Sequence, residues 1–102
     1  MALDIKPWDV ADYLTDTPSI AAYLSAILED GDVHELAEAL NDVARAKGGV
    51  ELIAAQAGIS SDEFAGAVNE NGTVNLDVVR RILRAFGVQL SASTQDPQLA
   101  AA

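Results

Sequence analysis

The sequence predicts an all-α fold: a compact five-helix domain followed by a short C-terminal strand. Three observations predict it. Apolar residues recur at i, i+3, i+4 and i+7 in successive segments, which is one face of an α-helix. Each segment has a capping residue ahead of it and a turn signal behind it. Apolar residues make up 50% of the chain, yet aromatics are only 5%, and alanine fills the difference; that balance favours helices over strands. A chain of 102 residues suits one core, since it can bury roughly 65% of its unfolded surface.

The elements follow in order. Asp9 can cap a short turn over 10–14. Thr17-Pro18 reads as a cap followed by proline at the first helical position. Ile20, Tyr23, Leu24, Ile27 and Leu28 then form one helical stripe, closed by Glu29-Asp30-Gly31. Asp32 can cap the second helix, with Glu35 at the capping-box position. Its stripe is Val33, Leu36, Ala37, Leu40, Val43 and Ala44, and Gly48-Gly49 end it. Val50, Ile53, Ala54 and Ala57 make a third, two-turn helix that Gly58 stops. Ser60 and Glu63 form a capping box for a fourth helix running to about Val68, with Phe64, Ala67 and Val68 inward. Asn71-Gly72 is a turn. Asn75 can cap the fifth helix, whose stripe is Val79, Ile82, Leu83 and Phe86, and Gly87 ends it. Residues 88–93 alternate apolar and polar like a strand. The organisation expected is therefore an N-terminal segment 1–16 packed on a helical domain 17–93, with a loose tail 94–102.

Charge is distributed unevenly. The net charge is −10. Residues 1–42 hold ten acids and one base, a net of −9; residues 43–102 hold six acids and five bases, a net of −1. An acidic chain is repelled by nucleic acid and by anionic membrane, so any DNA contact falls to the second half or to a basic partner. The absence of cysteine excludes a disulfide scaffold, a thiolate zinc site and a cysteine nucleophile. One histidine, His34, makes no metal cluster, and the acids Glu29, Asp30, Asp32 and Glu35 lack calcium-loop spacing. No nucleophile–base pair or phosphate-cradling glycine loop is present, so neither an enzyme nor a cofactor is expected. No apolar run approaches the ~20 residues that span a bilayer, and no secretory leader opens the chain; the expected location is the cytoplasm, away from membranes.

The third and fourth helices fit a helix-turn-helix. Counting from Val50, the motif wants a small residue at the fifth position and glycine at the ninth; Ala54 and Gly58 supply them. Ile53, Ala57, Ile59, Phe64 and Ala67 fill its apolar positions. In such a motif the second helix enters the major groove. Its outward residues here are Ser61, Asp62, Ala65, Gly66 and Asn69, with no Arg or Lys, although arginine to guanine is the commonest specific contact. DNA-facing candidates are therefore Ser60, Ser61 and Asn69 toward the groove and Arg45, Lys47, Arg80, Arg81 and Arg84 on phosphates. Arg81 can instead pair with Asp77 at i,i+4.

Several longer stretches carry a resemblance. Residues 6–14 (KPWDVADYL), 20–24 (IAAYL), 28–32 (LEDGD), 39–48 (ALNDVARAKG) and 83–90 (LRAFGVQL) occur in that order. Together, over about residues 1–93, they resemble the addiction-module antidotes, or HigA-type antitoxins. The resemblance implies a lambda-repressor-like helix-turn-helix domain. It implies a protein that neutralises a small toxin of the RelE/ParE fold and represses its own operon, often as a dimer or with toxin bound. Family members usually carry basic and aromatic residues around the positions of Ser61, Ala65 and Gly66; here those positions are small. Operator DNA binding is accordingly expected to be weak alone or toxin-assisted. The acidic first half suits a basic toxin, with Trp8 and Tyr13 as anchors and Asp9, Asp12, Asp16 and Glu29 as complementary charge. The plainer reading of Trp8 and Tyr13 is that they fasten the N-terminal segment to the core. A homodimer is expected through the 88–93 strand edge, burying Phe86, Val88 and Leu90. The rival readings are a protein-binding adaptor that keeps the scaffold, and an acidic DNA mimic.

Overall fold

The computed structural model describes residues 10–95. A single 3₁₀ turn, Val10–Tyr13, precedes five α-helices: α1 Thr17–Asp30, α2 Val33–Ala46, α3 Val50–Ala57, α4 Ser61–Ala65 and α5 Leu76–Phe86. Asp9, expected to cap the opening turn, lies outside the described residues, as does the stretch 96–102.

Side-chain caps set most helix starts. The first helix begins one residue earlier than its proline implies. Asp16, in extended conformation, is the N-cap, and its Oδ1 accepts from the Ser19 amide at 2.8 Å. Thr17 is thus the first helical residue and not the cap, with Pro18 behind it. Asp16 wins because a carboxylate accepts strongly from an amide at the positive end of the helix. Asp32 caps α2 through the Glu35 amide at 2.9 Å, and Asn75 caps α5 through the Val78 amide at 3.2 Å. At Ser60 the full box forms: its Oγ accepts from the Glu63 amide and Glu63 Oε1 accepts from the Ser60 amide, each at 3.0 Å.

The helical stripes meet in one core. Ile20 of α1, Leu40 and Val43 of α2, Ile53 of α3, and Ile82 and Phe86 of α5 are its most deeply buried large side chains. Helix α2 touches α1, α3, α5 and the 3₁₀ turn; α5 packs on α2, α3 and α4. Ala39, outside the expected α2 stripe, is fully buried where only a small side chain fits between packed helices. Leu28, expected on the α1 stripe, is 46% exposed, whereas its neighbour Ile27 packs against the core.

Two elements differ from expectation. Helix α4 stops at Ala65 instead of about Val68, with Gly66 as its C-cap. Glycine is a poor helix continuer, and a competing local structure takes over. Val68 and Val74 form an isolated antiparallel bridge, the Asn69 amide donates to the Thr73 carbonyl at 2.9 Å, and the Asn75 amide donates to the Ala67 carbonyl at 2.8 Å. The second difference is at 88–93, which has no ladder partner among the described residues and runs without regular structure. An alternating sequence makes a strand only when a neighbour satisfies its backbone.

Candidate functional site

Helices α3 and α4 are joined by residues 58–60, and the turn depends on Gly58. Its φ of 74° and ψ of 30° are left-handed. The Gly58 amide returns to the Ala55 carbonyl at 3.2 Å and the Ile59 amide to the Ala54 carbonyl at 2.9 Å. Those bonds close the end of α3 and point Ile59 back at the core. Ala54 is 2% exposed, as expected of a small residue where two helices approach. Helix α4 presents Ser61, Asp62, Glu63 and Ala65 to solvent, but it is only five residues long, about 7 Å of axis. Glu63 folds back onto the cap, which leaves Asp62 as its outward charge. Asn69, expected on the outer face of this helix, sits in the turn beyond it, where its carbonyl accepts from Gly72 at 3.0 Å.

The basic residues divide into two groups. Arg80, Arg81 and Arg84 project from the exposed side of α5 and, with Gln56 of α3, line a groove of about 460 Å³. Asp77 also reaches this groove and accepts from Arg81 Nε at 3.2 Å. The pairing expected from the i,i+4 spacing therefore forms. Arg45 does not join them. It lies on α2, where Nη2 meets Asp42 Oδ1 at 2.6 Å. Lys47 is the exposed C-cap residue of α2 and is likewise absent from the α5 groove.

Asp42 also accepts from the Tyr23 hydroxyl at 3.1 Å. This links α1 to α2 in a Tyr23–Asp42–Arg45 chain that periodicity alone does not reveal. Partial burial, then the bond to anionic Asp42, pushes the Tyr23 hydroxyl pKa up to about 12.

The exposed acids of the first half fall in two groups, one at each end of α1. Asp12 lies on the 3₁₀ turn beside Tyr13, which is 60% exposed. Asp16 caps α1, and its bonds to Ser19 hold its pKa below the ordinary value. Glu29 and Asp30 occupy the last turn of α1, which carries no base. Negative charge there opposes the helix dipole. Asp32 and Glu35 follow at the start of α2, also exposed. Trp8 and Asp9, the other two expected partner contacts, lie outside the described residues. Among the described residues no group of three His, Asp or Glu side chains could hold a metal ion, and no helix is long and apolar enough to cross a membrane.

The expected dimer residues separate. Phe86 is 1% exposed and fills the chain's own core, so it is not available to a second copy. Its place on the α5 stripe, alongside Ile82 and Leu83, already assigns it inward. Val88 is half-buried, its amide bonded to the Leu83 carbonyl at 3.0 Å. Leu90 is 39% exposed and shares a shallow apolar cleft with Leu28 of α1.

A family model described as "Probable addiction module antidote protein" matches residues 4–94. The chain belongs to that family. A relative from Haemophilus influenzae (strain ATCC 51907 / DSM 11121 / KW20 / Rd), called an uncharacterized protein, is 33% identical over 89 residues. The match covers 87% of this chain and 91% of the relative. No solved structure matches the chain significantly. In this antidote-family member, two features escape a reading by periodicity: the Tyr23–Asp42 bond and the α3–α5 groove. The i,i+3 and i,i+4 spacing gathers Arg80, Arg81 and Arg84 on one side of α5 but does not show that α3 stands opposite them.

Proposed function

We propose that this antidote-family chain is an antitoxin that neutralises a small basic toxin of the RelE/ParE fold by covering it with the acidic surface of the 3₁₀ turn, α1 and the start of α2. It acts by binding, not by catalysis, in the cytoplasm. The observation that carries this mode is the exposure of these acids, above all Glu29 and Asp30 at the wrong end of a helix dipole. Local stability disfavours acids there, whereas a basic partner favours them. Tyr13, with 60% of its surface exposed, is the aromatic anchor on the described part of that face, and Trp8 is its companion.

The test is association kinetics with the cognate toxin that the antidote family implies. Asp12→Lys with Glu29→Lys is the chosen variant, because reversing Asp16 would also destroy the α1 cap. The association rate should fall, most at low salt. An unchanged rate at low salt would sink the acidic-surface reading.

The same protein regulates its own operon through α3 and α4, acting as a helix-turn-helix. Ser60 and Ser61 face the groove and the arginines hold phosphates. Asp62 opposes approach, so DNA binding is weak alone and tighter when the basic toxin joins. The homodimer forms across Leu90 and Leu28, with the 88–93 backbone of two copies pairing.

A further inference from the structure

We propose that the groove between α3 and α5 is a phosphate grip. Arg80 and Arg84, with Gln56 at the facing edge, hold the sugar-phosphate backbone of duplex DNA without reading its bases. This rests on the reading of the chain as a DNA-contacting regulator and locates where that contact resides.

Four observations support it. Three of the chain's six bases lie within residues 80–84, although the whole chain carries −10. All three line one groove of about 460 Å³, which Gln56 of α3 also lines. Arg81 is held by Asp77, but Arg80 and Arg84 have no acidic partner among the described residues. They stand at i and i+4, about 5–6 Å apart at Cβ, so both guanidinium forks reach the same side. A guanidinium suits phosphate because its planar donors meet two oxygens at once. Helix α4, by contrast, offers no cation: its exposed side chains are Ser61, Asp62, Glu63 and Ala65. Backbone contacts give affinity and position, while base contacts give sequence information. Affinity therefore belongs to α5 in this chain.

Fluorescence anisotropy of the full chain against a labelled mixed-sequence duplex, over a salt series, tests this. Arg80→Gln with Arg84→Gln should weaken binding about tenfold at low salt and reduce the slope of log K against log salt by about 2. Asp77→Asn, which frees Arg81, should strengthen binding a few-fold. Circular dichroism of each variant should match the unmodified chain, since all three positions are exposed. If the double variant keeps its affinity and slope while Asp62→Ser with Glu63→Gln changes them, the grip lies on α4; this inference is then overturned and the DNA reading stands. If poly-glutamate binds as tightly as the duplex and is equally weakened by the double variant, the groove takes an acidic protein, and the inference is also overturned. If the unmodified chain binds no duplex at any salt, with or without its toxin, both fail.

Discussion

Tyr23 donates its hydroxyl proton to Asp42 across the seam between α1 and α2. Its pKa in the fold is about 12, against an ordinary 10.0. The unfolded chain loses this proton first as pH rises. The contribution of Tyr23 is therefore complete below about pH 10 and is lost as pH climbs toward 12. Tyr23→Phe should cost roughly 0.5–1.5 kcal/mol at neutral pH and flatten the decline in stability above about pH 10. Urea denaturation of both proteins across that range measures it. Asp16 has the opposite sign. Its pKa is lowered in the fold, so its contribution is present above the unfolded value of 3.8 and is lost as pH falls through the lower folded value. Asp16→Ala should lower the Tm at neutral pH and remove that acid-side step. Phe86 and Leu90 form a second contrast. Phe86→Ala should destabilise the monomer by about 3–5 kcal/mol, as deep core truncations do, whereas Leu90→Ala should cost the monomer little.

Helix ends decide much at the scale of the element. A Cβ at Gly58 would meet nothing within 4 Å, so the demand there is on the backbone alone. Gly58→Ala should cost roughly 1–2 kcal/mol, the penalty of a left-handed L-residue, and Gly58→Asn less. Equal stability of all three proteins would mean that the turn tolerates another conformation. The end of α1 is the reverse case. Glu29→Lys with Asp30→Lys should stabilise the free chain by about 0.3 kcal/mol or more, because bases suit a helix C-terminus. The same change should weaken the toxin complex. A variant that is more stable and binds worse would place these acids in recognition; one that binds equally well would make them incidental.

The whole molecule separates its charges. Acids gather on the first two helices and three of the arginines on the last, so the chain presents regions of opposite charge. The proposed self-association would use the apolar cleft shared by Leu28 and Leu90. Light scattering of the unmodified chain should show a dimer, and Leu90→Asp a monomer with an unchanged helical spectrum. A concentration-independent monomer of the unmodified chain would reject this cleft as the dimer contact.

Five helices, their order and the α5 stripe were legible because each is a local event: a cap, a period of 3.6 and a stop. The burial of Ala54 and Phe64 and the left-handed turn at Gly58 were legible for the same reason. The antidote-family resemblance was legible in five ordered segments. What the sequence could not settle was competition between neighbours. Asp16 and Thr17 both cap well, and only the finished turn shows the Asp16 carboxylate on the Ser19 amide. Gly66 allowed α4 to end early, but the Val68–Val74 bridge, a pairing of residues six apart, made it end there. Residues 88–93 alternate like a strand, yet pairing needs a partner that one chain does not supply among the described residues. Phe86 and Leu90 are both apolar near the C-terminal end; burial against α5's neighbours assigns one to the core and leaves the other at the surface. The groove of Arg80 and Arg84 likewise exists only because α3 packs on α5 and sets Gln56 across from them. Periodicity fixes which face of a helix is wet, and tertiary packing decides what stands opposite it.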